Sequence, residues 1–169
     1  MRKIGLLSDT HGFLDPKLFT HFESCHEVWH SGDFGSVDVS DQLSGFKTLR
    51  GVYGNIDSHE LRKIHPEHLH FMCEDVRIWM THIGGYPRNF PPNIRNELDR
   101  NAPDIFICGH SHILKIMRDK KYRNMLHINP GAAGKEGFHR VRTAVRFEIS
   151  GREIKNMEVI ELGLRGEII

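Results

Sequence analysis

Five short apolar runs of this chain each break off at residues able to ligate a metal. Lys3-Ile4-Gly5-Leu6-Leu7-Ser8 is followed by Asp9-Thr10-His11, Glu27-Val28-Trp29-His30 by Gly32-Asp33, and Leu49-Arg50-Gly51-Val52-Tyr53 by Gly54-Asn55. Further on, Val76-Arg77-Ile78-Trp79-Met80 leads to Thr81-His82, and Ile105-Phe106-Ile107-Cys108 to Gly109-His110-Ser111-His112. Runs of this kind read as strands. In an open α/β sheet, residues just past the carboxyl ends of strands converge on one crevice. Asp9, His11, Asp33, Asn55, His82, His110 and His112 can therefore share one site despite their distance along the chain.

The spacing between the runs predicts the rest of the fold. Strand 3–8 precedes a helix at about 16–24, where Asp15-Pro16 supplies a cap and a first-turn proline. Strand 27–31, a helix at 37–43 and strand 46–52 continue the βαβ rhythm of a parallel sheet. From about His68 the pattern becomes a hairpin, 69–73 with 76–80, followed by a helix at about 92–100 and strand 104–108. The remainder is β-rich: 113–118, 125–128, then Val141, Thr143, Val145, Phe147 and Ile149 at period two, and 154–160 after a Ser150-Gly151 turn. That alternation predicts an antiparallel pair with one buried face. The sum is two packed sheets with helices outside, and we expect residues 1–169 to form a single domain.

Composition excludes more than it identifies. The 169 residues carry 23 basic and 22 acidic side chains, interspersed, for a net charge of +1. No extended nucleic-acid surface and no membrane partner are expected from such a balance. Cys25, Cys73 and Cys108 show no C-x-x-C spacing and read as reduced, structural thiols. No signal segment or membrane span is evident, so the expected location is the cytoplasm. His30 reads as a packed partner of the Asp33 turn rather than a ligand, and His59, His65, His68 and His70 as solvated surface in a polar stretch.

Residues two apart in an extended segment point the same way. Asp9 with His11, and His110 with His112, can each present a pair that serves one metal or is divided between two. Taken singly, Asp9, Asp33 and Asn55 could be turn residues and His82 a satisfied core histidine; five blocks in register favour ligation. Mixed carboxylate and imidazole ligation suits Mn, Fe, Zn, Co or Ni rather than Mg or Ca. Manganese is the favoured ion.

In this order, D-x-H at Asp9/His11, G-D at Gly32/Asp33, G-N at Gly54/Asn55, His82 and G-H-x-H at Gly109 to His112 resemble the calcineurin-like metallophosphoesterases. Asn129-Pro130-Gly131 and the small size are most similar to the compact YfcE-type phosphodiesterases. The resemblance implies a four-layer α/β/β/α sandwich and two divalent metal ions. It assigns Asp9, His11, Asp33 and His112 to one ion and Asp33, Asn55, His82 and His110 to the other, with Asp33 bridging. The implied activity is hydrolysis of a small or nucleotide-derived phosphate ester, a diester in preference to a monoester, with a metal-bridging hydroxide as nucleophile. Arg88, Asn129 and Gly131 are candidate substrate contacts. Many family members carry a His after the G-N block as general acid; here that position is Ile56, followed by Asp57. The alternative implied by the same resemblance is a non-catalytic scaffold that binds partner proteins, like the retromer subunit. A homo-oligomer is compatible with either.

Overall fold

A computed structural model describes residues 1–167. Strand β1 (Arg2–Leu7) leads through α1 (Lys17–His21) to β2 (Glu27–His30), α2 (Val37–Phe46), β3 (Thr48–Gly51) and α3 (His59–Ile64). The hairpin β4 (His68–Cys73) and β5 (Val76–Thr81) precedes α4 (Pro92–Asn101) and β6 (Ile105–Ile107). β7 (Leu114–Asp119), a 3-10 turn at Lys120–Tyr122, β8 (Met125–Pro130), β9 (Val141–Ser150) and β10 (Glu153–Leu164) complete it. The strands form two five-stranded sheets, ordered β10-β9-β1-β2-β3 and β4-β5-β6-β8-β7. Each contains three adjacent parallel strands: β1, β2 and β3 in the first, and β5, β6 and β8 in the second.

Side chains alternate across each strand, and the alternation sorts them into three apolar layers. Ile4, Leu6 and Trp29 of the first sheet meet Ile78, Met80, Ile105, Ile107 and Ile128 of the second in the central core. The opposite faces carry Leu7 and Val28 against Leu18, Phe22, Val39, Leu43 and Leu61 on one side. On the other side, Trp79, Phe106 and Cys108 pack against Ile94 and Leu98 of α4. The result is the α/β/β/α order of layers. β9 lies inside its sheet, between β1 and β10, so its period-two face enters the central core.

Helix limits follow their caps. Ser36 Oγ accepts from Val39 N at the start of α2, and Ser58 Oγ from Leu61 N at the start of α3. α3 has no counterpart among the predicted helices, because only Leu61 of its six residues is buried, too little apolar periodicity to register in a polar stretch. α1 is shorter than predicted. Asp15 still organises its entry: Oδ1 accepts from Lys17 N, and Oδ2 pairs with the buried Arg142 guanidinium at 2.6 Å. All three cysteines are free and buried, and burial pushes the Cys73 thiol up to about 11 and that of Cys108 to about 12.

His65 corrects the surface reading. It is buried, its Nε2 is 2.8 Å from Ser40 Oγ, and its ring stacks on Phe34, which stacks in turn on His30. The residue ends α3, and the chain returns there against α2, a long-range contact that local polarity cannot reveal. His59, His68 and His70 are exposed.

Candidate metal centre

Every residue singled out as a ligand follows a parallel strand at its carboxyl end. Asp9 and His11 follow β1, Asp33 follows β2, Asn55 follows β3, His82 follows β5, and His110 and His112 follow β6. Neither sheet holds the set alone. Backbone bonds knit the loops together: Asp9 N to Gly32 O, His11 N to Asp33 O, and Gly109 N to His82 O. Ser31 Oγ donates to Cys108 O across the two sheets at 3.2 Å.

Extended backbone is not what aims these side chains. Asp9, His11, Asp33, His110 and His112 all have positive φ, between 47° and 69°. This left-handed region is uncommon for residues other than glycine, and such outliers cluster at functional sites. β1, β2 and β6 therefore each end in a kink that turns a ligand toward the seam. Two glycines let the loops close. Gly32 has φ 103°, and a Cβ there would lie 2.5 Å from His82 Nδ1; a Cβ on Gly54 would lie 2.0 Å from Asp33 Oδ1.

Two clusters result, one of Asp9, His11 and His112 and one of Asp33, His82 and His110. Asp33 joins them: its Oδ2 lies 3.4 Å from His11 Nε2 and 3.1 Å from His82 Nε2. Asp9 Oδ1 lies 3.1 Å from His112 Nε2 and 3.8 Å from those of His11 and His82. Asn55 Oδ1 is 3.0 Å from His110 Nδ1 at the exposed rim.

The donor set fits a divalent cation on a direct observation. Asp9 Oδ1, His11 Nε2 and His82 Nε2 are buried from solvent and make no hydrogen bond, although an unpaired buried polar atom costs about 1–3 kcal/mol. The second polar atoms of Asp9 and His82 are committed. Asp9 Oδ2 accepts from Ser8 Oγ at 2.6 Å and His110 N at 3.1 Å, and His82 Nδ1 is 2.8 Å from Ser31 O. A His fixed by a carbonyl through one nitrogen offers the other to a metal. Burial raises the Asp9 carboxyl, but the His11 and His112 contacts outweigh it and hold the group well below the usual carboxylate range. Asp9 raises His11; for His82, burial lowers the imidazole, but Asp33 and Asp9 more than offset it. Burial and then His82 lower His110.

The residues behind the ligands were only partly foreseen. Asp57 is buried and receives three backbone N–H groups, those of Phe34 and Gly54 on Oδ2 and that of Gly35 on Oδ1. It ties the Asp33 loop to the Asn55 loop. Its signal in the sequence is a carboxylate three residues past Gly54, the spacing of a local side-chain turn. His30 is buried, bonds Thr10 Oγ1 and Gly32 N, and holds the Asp33 turn as a packed partner. Asn129 is buried too, with its Nδ2 donating to Gly109 O and Ser111 Oγ and its Oδ1 accepting from Gly131 N. Its polar atoms thus support the His110–His112 loop, and Gly131 turns the chain with φ 75°. Arg88 is exposed and lines a different cavity from the one bordering Asn55 and His82.

That bordering cavity, about 330 Å3, is lined by Tyr53, Asn55, Arg62, His68, His82 and Asn93 among others. Arg62 lies 4.7 Å from the Tyr53 ring centroid and donates to Asp57 O and Asn55 O.

The model of the calcineurin-like phosphoesterase superfamily domain matches residues 2–152. Among curated proteins none matches significantly. Solved structures of the same fold include Vps29 of Chaetomium thermophilum, 16% identical with a TM-score of 0.74 over 96% of this chain and 97% of that one. An archaeal phosphodiesterase is 23% identical with a TM-score of 0.69, covering 94% and 99% of the two chains. A protein of Streptococcus pneumoniae described as a predicted phosphoesterase is 22% identical with a TM-score of 0.68, covering 95% and 97%. The family match spans all five ligand-bearing strand ends, and the chain belongs to the calcineurin-like phosphoesterase superfamily.

Proposed function

We propose that the chain is a divalent-metal phosphodiesterase, one domain over residues 1–169, that cleaves a small or nucleotide-derived phosphate ester in the cytoplasm. The observation that carries this reading is the set of buried, unpartnered atoms Asp9 Oδ1, His11 Nε2 and His82 Nε2 facing one another. Two ions, manganese for preference, would acidify a water and polarise the phosphoryl oxygens. Asp9, His11 and His112 would hold one ion, Asn55, His82 and His110 the other, and Asp33 would bridge them.

The remaining work falls to the chain itself. Ser8 Oγ and His110 N fix the orientation of Asp9 through its Oδ2, leaving Oδ1 free to ligate an ion. Ile56 N holds Asp33 Oδ1 at 3.1 Å in the same way, leaving Oδ2 between His11 and His82. The cavity beside Asn55 and His82 would seat the ester, with the Arg62 guanidinium complementing its negative charge.

Ile56 is 47% exposed and carries no proton to give, and Vps29 structures share the fold. These two observations favour a second reading, a partner-binding scaffold. Metal content by elemental analysis, together with turnover of bis(p-nitrophenyl) phosphate with several metals, separates the two. Two bound ions per chain with turnover supports the enzyme; bound metal with no turnover of diesters or monoesters supports the scaffold.

A further inference from the structure

A second cavity lies apart from the one beside the metal centre, lined in part by Pro87, Arg88 and Phe90 of the segment joining His82 to α4. It measures about 620 Å3, nearly twice the one beside Asn55 and His82, and shares no lining residue with it. Its walls bring together Arg88 from the loop, Arg95 from α4, Arg118 from β7, and Lys120 and Lys121 from the 3-10 turn, against the single carboxylate of Asp119. That carboxylate is committed, since its Oδ1 accepts from Lys121 N. Lys121 is paired with Asp99 at 3.4 Å, and Arg118 donates to Asn124 O. Arg88, Arg95 and Lys120 have no ion-pair partner among the described residues. A chain of net charge +1 thus concentrates five cations in one concave place, with Asp99 close enough to Arg95 and Lys121 to offset part of the charge.

The Arg88 backbone supplies an independent observation. Asn89 N donates to Tyr86 O at 2.8 Å, which closes a four-residue turn with Pro87 and Arg88 at its centre. Arg88 has φ 73°. Proline followed by positive φ is the pattern of a type II turn, whose third position is ordinarily glycine. A bulky side chain retained there at a cost in strain points to work done by that side chain.

We propose that this cleft is a second ligand site, for a small molecule bearing two or more phosphate groups. Guanidinium groups match phosphate oxygens in paired hydrogen bonds, and three cations without a salt bridge, beside Arg118 and Lys121, exceed what one phosphate would balance. The volume lies within the range of small-molecule sites, roughly 300–1,000 Å3. Phe90, Tyr122 and Met117 add an apolar wall for a base or ring attached to the phosphates. The site does not depend on the metal centre or on its chemistry.

Titration calorimetry of the full chain in EDTA at low salt, with tripolyphosphate, ATP and adenosine as probes, tests this. Tripolyphosphate and ATP should bind one per chain, weaken steeply with salt, and keep their affinity within twofold in Asp33→Ala. Arg95→Ala and Lys120→Ala should each lose about tenfold. Arg88→Gly is the discriminating variant: it relieves the backbone, so affinity should fall about tenfold while the melting temperature holds or rises. Absence of saturable binding, equal binding of adenosine, loss of binding in Asp33→Ala, or full affinity in Arg88→Gly and Arg95→Ala would overturn the assignment. Binding of a hexaglutamate peptide without binding of tripolyphosphate would also overturn it, in favour of an acidic protein partner.

Discussion

Replacing Asp57 by alanine tests whether one carboxylate holds the loops of Asp33 and Asn55 in register. The group accepts from Gly54 N at 2.8 Å, Gly35 N at 2.9 Å and Phe34 N at 3.2 Å, and the residue is 4% exposed. A hydrogen bond to a charged group contributes about 1.5–3 kcal/mol, and a buried donor left without a partner costs a comparable amount. Water can recover part of the loss at the exposed Gly35, so Asp57→Ala should cost about 4 kcal/mol. Asp57→Asn keeps the shape but turns an NH2 toward one backbone donor; it should cost about 2 kcal/mol, the worth of one such bond. Urea unfolding of the metal-free chain measures both, with the slope unchanged and the midpoint lowered. Metal affinity should fall in the same order, since Asp33 and Asn55 lose their common anchor. An Asp57→Ala unfolding free energy within about 0.5 kcal/mol of the parent would refute the reasoning, because that is the scale of an ordinary surface substitution.

Other outcomes are equally specific. Burial lowers the His127 imidazole to about 4, and neither ring nitrogen has a partner. The folded state therefore holds it neutral, so its stability is present above pH 6.5 and lost as pH falls toward 4, by about 3 kcal/mol in all. His127→Phe should flatten the acid limb of the stability curve, and parallel curves for the two proteins would contradict this. Asp33→Ala should lower metal content at both positions and abolish turnover, whereas His82→Ala should remove mainly one ion; equal, full content in both by elemental analysis would sink the ligand assignment. With Ile56 in place of a proton donor, the rate on aryl diesters should depend steeply on leaving-group pKa, and Ile56→His should flatten that dependence. A general acid is typically worth about 10² to 10⁴ in rate, so a shallow dependence in the parent would show that another group already supplies the proton.

The sequence alone determined the strands, three of the four helices and the candidate ligands. Strand runs, their polar stops and the helices at 37 and 92 are local patterns set by side-chain period and caps, and each recurs within a few residues of its predicted place. The order of the five blocks was enough to point to the superfamily. Tertiary structure decided what depends on contacts between distant residues. Five strand ends meet at the seam of two sheets, and five ligands are aimed by left-handed kinks rather than by extended spacing. His65, polar and in polar company, becomes core only because α3 returns to α2. Asn129 supports the His110–His112 loop through atoms twenty residues away along the chain, and Arg88 lies in a separate basic cleft whose cations come from four stretches of chain. An even scatter of charge along the sequence cannot disclose that clustering, because which charges share a surface is fixed by packing.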